Sequence, residues 1–308
     1  MERLEQLADL LIRRCPSLEL RRDEPMAKHT TFRIGGPAAL MALPKTVQEA
    51  REALCAAREL EVEPFFLGNG SNLLVPDQGI ERFLVKPAGR SSGGEFNYVW
   101  GTERSLVAGA AVSLSQLAAA ALHRGLTGLE FAGGIPGSVG GGVTMNAGAY
   151  GGELSQVIEQ VTALDRMGES RVLTAEQCGF GYRRSVFSGG DYLIVEVRFQ
   201  LSPGDPQAVR ARMEELARQR QSKQPLEYPS AGSMFKRPQG HFAAALIDQC
   251  GLKGFTVGGA QVSEKHAGFV INRGGATCAD VLALVDQVRT RVLARTGVEL
   301  EMEVKVLR

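Results

Sequence analysis

The feature that most constrains the fold is a glycine-rich run at residues 131–153, where nine of the 23 residues are glycine. Because glycine costs about 0.5–1 kcal/mol against alanine inside a helix or a strand, we expect no regular element here. Apolar residues are interleaved with the glycines, which is not typical of a flexible linker. The run predicts a backbone that closely approaches a ligand, because bare amides of such loops bind anions, most often nucleotide phosphates. A cluster of tight turns without a ligand is the alternative.

A second stretch of this kind lies at residues 67–79, which read LGNGSNLLVPDQG directly after the apolar residues 64–66. A strand that leads into Gly-Asn-Gly-Ser-Asn predicts a phosphate-binding loop. Leu73 occupies the place of the third glycine in the dinucleotide fingerprint, and the chain contains no Gly-Lys-Ser or Gly-Lys-Thr loop. The sequence therefore predicts a bound nucleotide, but neither NAD in a Rossmann fold nor P-loop hydrolysis.

The composition limits the classes of protein to which the chain can belong. Its 308 residues suffice for two or three domains, and a net charge of +1 gives no reason to expect nucleic acid or a membrane surface as a partner. The five cysteines form no CxxC pair, so we expect a reducing compartment, no disulfide framework and no metal site. The N-terminal residues lack the apolar core of a signal peptide, and no apolar run is long enough for a membrane span. We expect a cytoplasmic protein.

The sequence pattern divides the chain into three blocks, the first of which ends at about residue 95. The first block is typical of a βαβ unit, and the second of an antiparallel α+β domain. The boundary before the third block is the Ser-Pro-Gly-Asp-Pro sequence at residues 202–206.

Capping signals predict where several helices begin. Thr46 with Glu49 and Ser113 with Gln116 have the spacing of capping boxes, and Thr277 precedes a long helical pattern. At residues 298–306 apolar and polar residues alternate, which predicts a final strand.

Three kinds of residue could carry chemistry, and each also has a structural interpretation. Ser233 lies in a turn of small residues between Lys223 and Lys236, where a structural turn serine is the commoner case. Arg183 lies in a predicted loop and could bind a carboxylate or a phosphate, or could simply lie at the surface. The alternation of the final strand places Glu303 towards solvent. These residues alone indicate a nucleotide-binding α+β protein, most simply an enzyme.

Several motifs, in order along almost the whole chain, resemble those of the UDP-N-acetylenolpyruvoylglucosamine reductase (MurB) family of flavoenzymes. The continuous segment 260–272 is similar to the shorter variety of the family, which lacks an extra loop carrying a tyrosine. The matching motifs are Thr-Thr-Phe-Arg-Ile-Gly-Gly at 30–36, Gly-Asn-Gly-Ser-Asn-Leu-Leu at 68–74, Gly-Leu-Glu-Phe-Ala-Gly-Gly-Ile-Pro-Gly at 128–137, Met-Asn-Ala-Gly-Ala-Tyr-Gly at 145–151, Gly-Tyr-Arg at 181–183, Ala-Gly-Ser-Met-Phe-Lys at 231–236 and Leu-Glu-Met-Glu-Val at 300–304.

The resemblance implies an α+β fold with a vanillyl-alcohol-oxidase-like FAD-binding part. Residues 1–88 and 89–202 would form its two subdomains, and residues 203–308 a C-terminal α+β domain that binds substrate. It also implies noncovalent FAD, with NADPH as co-substrate. The residues expected to contact FAD are Gly68, Asn69, Gly70, Ser71, Asn72, Gly133, Gly134, Ile135, Pro136, Gly137, Gly140, Gly141, Asn146, Ala147 and Gly148.

The resemblance further implies a reaction in two halves, in which NADPH first reduces FAD. Flavin N5 then passes a hydride to the enolpyruvyl ether of UDP-N-acetylglucosamine, and UDP-N-acetylmuramate forms for peptidoglycan synthesis. By motif, Arg183 and Glu303 stabilise the enolate intermediate and Ser233 protonates its carbon. The residues expected to bind substrate are Lys223, Lys236 and Tyr150.

Two other functions are alternatives to this one. A flavin oxidase would need a base, whereas Ser233 would be a proton donor. A non-catalytic protein on the same scaffold would have been favoured by loss of Ser233 or Glu303, and both are present. We expect a monomer that acts on small molecules, without nucleic acid and without insertion into a membrane.

Overall fold

The computed structural model describes residues 1–89 and 94–307, which form two compact units. Among these residues, unit 1 comprises residues 1–22, 39–69, 81–89 and 94–218, and unit 2 comprises residues 23–38, 70–80 and 219–307. The helices are α1 Glu2–Arg14, α2 Val47–Glu59, α3 Leu114–His123, α4 Val139–Thr144, α5 Pro206–Lys223, α6 Ala243–Gln249 and α7 Cys278–Thr296. No helix among the described residues is both long and apolar enough to cross a membrane.

The strands are short, and most belong to three sheets. They are β1 Glu19–Pro25, β2 Pro37–Leu43, β3 Pro64–Phe66, β4 Leu73–Leu74, β5 Ile80–Val85, β6 Val99–Gly101, β7 Ser105–Gly109, β8 Leu126–Thr127, β9 Gly148–Ala149, β10 Gly152–Glu153, β11 Ile158–Asp165, β12 Ser170–Thr174, β13 Tyr192–Gln200, β14 Ser202–Pro203, β15 Ser230–Ser233, β16 Thr256–Val257, β17 Ala260–Val262, β18 Phe269–Asn272 and β19 Lys305–Val306.

Unit 1 contains two hydrophobic cores. One lies around the sheet ordered β1-β2-β5-β3, with β3 and β5 parallel, and contains apolar residues of α1 and α2 such as Leu7 and Leu54. The other packs α3 and α4 on the sheet ordered β12-β11-β13-β7-β6, with buried residues such as Leu117, Val143 and Phe199. The antiparallel sheet predicted for this part of the chain is confirmed, because the pairings given for this second sheet are all antiparallel.

Unit 2 is built on the antiparallel sheet ordered β15-β18-β17-β16, with α6 and α7 contributing buried side chains to its core. A parallel pair, β4 with β19, joins residues 73–74 to residues 305–306. This pair brings the segment after the first glycine loop beside the segment that contains Glu303.

The predicted helix starts are confirmed. The hydroxyl of Thr46 accepts from Glu49 N, and that of Ser113 accepts from Gln116 N, both at 3.1 Å, and each capping box is closed reciprocally. Thr277 caps α7 in the same way. These signals are local, so they do not depend on the rest of the fold.

The prediction of a continuous strand over residues 298–306 is wrong. Met302 forms a single antiparallel bridge with Phe235, and only β19 continues as a strand, paired in parallel with β4. The chain thus changes partner between residues 302 and 305, and no single ladder of hydrogen bonds can extend over the whole segment.

Candidate active site

The first glycine loop, residues 68–72, follows β3. Within residues 1–89 and 94–307, the backbone amides of residues 68–71 donate to no other residue. Backbone N–H groups normally have a partner, so a row of amides without one is suited to an anion. Gly70 has φ +60°, and a Cβ there would lie 2.1 Å from the carbonyl O of His29, so only glycine fits this turn.

The first glycine loop lies against the glycine-rich run at residues 131–153. A Cβ on Gly68 would come within 2.7 Å of Ser138 Oγ and 3.6 Å of Gly141 Cα, all within unit 1. The two stretches that the sequence singled out separately are therefore in contact. This close approach needs glycine at position 68.

The prediction that the glycine-rich run contains no regular element is wrong, because α4 lies inside it. Ser138, which is buried, caps this helix by accepting from Gly141 N at 3.3 Å. The glycines of α4 pack closely on their surroundings: a Cβ on Gly140 would lie 3.1 Å from that of Ala110. Tertiary packing here outweighs the poor helix propensity of glycine.

The amides around α4 are not the unpaired donors that the sequence predicted. Gly137 N donates to Ile135 O at 2.9 Å, and Gly140 N to Ala110 O at the same distance. The amides of residues 139, 141 and 142 are also bonded within unit 1. Gly137, Gly140 and Gly141 can therefore approach a ligand closely, but these N–H groups are already satisfied.

The residues before α4 form its support. Gly133 and Gly134 end a 3-10 helix at Glu130–Gly134, and Ile135 packs against the second core of unit 1. A Cβ on Gly133 would lie 3.3 Å from Met213 Cε. Pro136 follows in the same segment, directly before Gly137.

Asn146, Gly148 and Arg183 form one cluster in unit 1. The guanidinium of Arg183 donates to Gly148 O at 3.1 Å and to Asn146 O at 3.5 Å. Asn146 is fully buried, and its side chain donates to Gly181 O and accepts from Ser155 N. Two loops that lie far apart in the sequence thus hold the arginine in place. Ala147 N donates to Gly142 O, which ties this cluster to α4.

The same cluster contains backbone strain that the sequence does not show. Asn146, Tyr150 and Arg183 have φ values of 42°, 54° and 55°, in the left-handed region. Asparagine tolerates this region, whereas tyrosine and arginine adopt it rarely, at a cost of roughly 1–3 kcal/mol each. Strained residues of this kind are typical of functional sites. Tyr150 is 37% exposed.

Ser233 and Glu303 are connected through one residue of unit 2, Met234. Ser233 ends β15, and the carbonyl of the next residue, Met234, accepts from Glu303 N at 2.9 Å. Met234 N donates to Gly268 O at 2.8 Å, so this short segment is held on both sides. The structure therefore brings together two residues that lie 70 positions apart in the sequence.

Glu303 is less exposed than the alternation predicted. It is half-buried, and Asn72 Nδ2 donates to its carbonyl O at 3.1 Å. Glu301, two residues earlier, is exposed, and its carboxylate pairs with the ammonium of Lys236. The two glutamates of this segment therefore differ in burial.

The lysines near this segment differ in their surroundings. The pKa of Lys305 is held below its ordinary value, first by desolvation and then by the nearby charge of Lys236. Lys223, at the end of α5, is exposed, and within residues 1–89 and 94–307 it makes no hydrogen bond or ion pair with Ser233, Lys236 or Glu303. The sequence did not single out Ser138 or Lys305. For Ser138 the signal was present, a serine directly before a possible helix, but the glycines concealed it.

Comparison with known proteins gives two matches to family models and many similar proteins. One model, described as UDP-N-acetylenolpyruvoylglucosamine reductase, C-terminal domain, matches residues 224–307, and one described as FAD binding domain matches residues 38–174. The UDP-N-acetylenolpyruvoylglucosamine reductase of Clostridium botulinum strain Hall is 46% identical over 285 residues, covering 92% of this chain and 91% of that protein. The reductase of Geobacillus thermodenitrificans is 44% identical over 307 residues, covering 100% and 99%.

The crystal structure of UDP-N-acetylenolpyruvylglucosamine reductase (MurB) from Thermus caldophilus is similar, with a TM-score of 0.81 and 36% identity. The match covers 94% of this chain and 100% of that one. These matches confirm an FAD-binding part followed by the C-terminal domain of the reductase family, as the sequence led us to expect.

Proposed function

The chain belongs to the UDP-N-acetylenolpyruvoylglucosamine reductase family, and on that basis we propose which of its residues carry the reaction. The protein is an FAD-containing oxidoreductase of peptidoglycan precursor synthesis. It reduces the enolpyruvyl ether of UDP-N-acetylglucosamine to UDP-N-acetylmuramate, with NADPH as co-substrate. FAD, when bound, would carry the hydride from NADPH to the enolpyruvyl substrate. The residues of the chain bind and orient both substrates and protonate the enolpyruvyl one.

The first glycine loop fits the diphosphate of FAD. Its support is the set of amides at residues 68–71 that no other described residue uses, together with the left-handed turn at Gly70. We assign residues 133–148 of the glycine-rich run a different role: they form a close-packed surface against which the cofactor can lie. Asn69, Ser71 and Ala147 are included in this noncovalent site on the family pattern.

Ser233 is the proton donor to carbon. A serine hydroxyl is a weak acid, so it can protonate only a strongly basic enolate that is held in a fixed geometry. The observation that carries this assignment is the backbone connection from Ser233 through Met234 to Glu303. Glu303 acts beside it by stabilising the charge that develops on the substrate.

Arg183 stabilises the substrate carboxylate. A guanidinium is planar and has five N–H donors, so the carbonyls of Asn146 and Gly148 can fix its plane while it binds a carboxylate. The backbone strain at Arg183 supports a site that is organised before substrate binds.

The remaining assignments depend on the family pattern alone. Lys223, Lys236 and Tyr150 contact the sugar nucleotide; for Lys236 this requires that its ion pair with Glu301 be exchanged for a phosphate. We propose FAD-binding subdomains at residues 1–88 and 89–202 and a substrate domain at 203–308. We also propose a cytoplasmic monomer of the shorter variety.

Ser233→Ala tests the central assignment, in stopped-flow experiments that separate the two half-reactions. General acid catalysis is typically worth about 10²–10⁴-fold, so the oxidation of reduced flavin by the enolpyruvyl substrate should slow by at least that order. Reduction of the flavin by NADPH needs no such proton and should keep its rate. Ser230→Ala, at the other end of β15, is the control. A Ser233→Ala enzyme that is reoxidised at the wild-type rate would remove serine from the mechanism.

A further inference from the structure

Asn72 belongs to the first glycine loop, but its side chain is bonded to the protein itself. Nδ2 donates to the carbonyl O of Glu303 at 3.1 Å, and the carbonyl O of Asn72 accepts from Lys305 N at 3.0 Å. From the other side, Glu303 N donates to Met234 O at 2.9 Å. Both peptide groups that flank the Cα of Glu303 are therefore held by hydrogen bonds.

This arrangement determines where the side chain of Glu303 begins. A peptide group is planar, so a residue has only two soft backbone torsions, and fixing both flanking groups fixes both torsions. The direction of the Cα–Cβ bond is then set. The parallel pairing of β4 with β19 directly beyond Asn72 and Glu303 adds to this restraint.

We infer that Asn72 is a positioning residue for Glu303 and that its main task is not to bind the cofactor. The first glycine loop would then have two functions. The amides of residues 68–71 bind a ligand, and Asn72 fixes the backbone at Glu303. The inference rests on the proposed role of Glu303 in the reaction. It differs from the sequence-based expectation, in which Asn72 is one more FAD contact.

Asn72→Asp tests the inference, because it keeps the shape of the side chain and replaces the donor with an oxygen. Two oxygens would then face each other, and a polar group left without its partner typically costs about 5-fold to 150-fold in an equilibrium or a rate. We expect reoxidation of the flavin by the enolpyruvyl substrate to slow at least about 10-fold, with KM for that substrate within about 3-fold of wild type. Reduction by NADPH and the Kd for FAD should change less than about 3-fold.

Amide hydrogen exchange on the FAD-saturated protein supplies a measurement that is independent of turnover. In Asn72→Asp, the peptide that contains Glu303 to Lys305 should exchange faster than in wild type, because opening of this segment becomes cheaper. Asn72→Ala, which removes the donor without adding an oxygen, should give the same change to a smaller extent. Ser71→Ala alters the neighbouring residue and leaves Asn72 in place, so exchange at Glu303 to Lys305 should stay at the wild-type value.

The outcomes separate this inference from the proposed function. If Asn72→Asp and Asn72→Ala weaken FAD binding at least about 10-fold and leave exchange of the Glu303 segment unchanged, Asn72 is a cofactor ligand and the inference is overturned. If Glu303→Gln is reoxidised at the wild-type rate, the proposed role of Glu303 fails. Faster amide hydrogen exchange at Glu303 to Lys305 in the Asn72 variants would still show that Asn72 restrains that segment. A merely destabilised variant would lose rate in both half-reactions alike, which would also count against positioning.

Discussion

The two glycine-rich stretches have similar compositions and use glycine for opposite reasons. In the loop at residues 68–72, glycine allows a left-handed turn, and the amides of residues 68–71 have no partner among the described residues. In the stretch at residues 137–142, the amides of residues 137 and 139–142 are bonded within the protein and the glycines make room for close packing of α4. The first region has backbone donors available for a ligand, and in the second region most backbone donors are already bonded.

The comparison teaches that glycine content alone does not identify a phosphate loop. The distinguishing observation is where the backbone donors go, which is a property of the tertiary structure. Substitutions by alanine should therefore have different consequences in the two regions. Changes in the first loop should act mainly on FAD binding, and changes in the second mainly on stability.

Gly70→Ala should have the largest effect. The new Cβ would lie 2.1 Å from His29 O, a backbone atom that cannot move aside cheaply, at a φ of +60°. The loop must rearrange, and we expect FAD affinity to fall by at least about 100-fold, which corresponds to about 2.7 kcal/mol, measured by titration of the apoprotein. Gly297→Ala is the matched control, with φ +71° and nothing within 4 Å of the new Cβ, so it should cost only the strain of the turn. Equal effects of the two variants on FAD affinity would refute the distinction.

Gly140→Ala should have an intermediate effect, and on stability rather than on the cofactor. Its Cβ would lie 3.1 Å from Ala110 Cβ and 3.3 Å from the carbonyl that accepts from Gly140 N. Overpacking typically costs about 1–3 kcal/mol, partly offset by the better helix propensity of alanine. We expect the melting temperature of the apoprotein to fall by about 2–4 °C, with the Kd for FAD within about 3-fold of wild type. Loss of FAD without a fall in melting temperature would contradict this.

Gly142→Ala should have the smallest effect. The nearest atoms to its Cβ are side-chain methyl groups, Leu154 Cδ1 at 3.0 Å and Leu114 Cδ1 at 3.1 Å, which can shift. The gain in helix propensity is about 1 kcal/mol and should nearly cancel the crowding. We expect a change in melting temperature of less than about 2 °C in either direction. A large fall in melting temperature would show that the leucine side chains around Gly142 cannot shift to make room.

Features encoded locally could be predicted from the sequence. The capping boxes at Thr46 and Ser113 and the start of α7 at Thr277 need only residues within one turn, and all three are as expected. Helix α4 could not be predicted, because its stability comes from the packing of glycines on Ala110 and on leucine side chains outside the run. Propensity alone favours a loop there.

The candidate site was less predictable than the fold. Alternation placed Glu303 on an exposed face, because the pattern carries no information about which strands become its neighbours. Its actual partners, Asn72 and Met234, lie 231 and 69 residues away in the sequence. Only the family resemblance identified Glu303 and Ser233 as functional residues, and the backbone connection between them becomes visible only in three dimensions.

The bond from Asn72 to Glu303 has a consequence for synthesis on the ribosome. Residue 72 emerges long before its partner, since 231 residues separate the two. At about 5–20 residues per second, the early segment waits roughly 10–50 s before the later one exists. During that interval the amides of Gly70 and Ser71 lie in a segment that lacks its final neighbours. Glu303 should therefore acquire its restraint from Asn72 only after translation has passed residue 305, however early the first glycines appear.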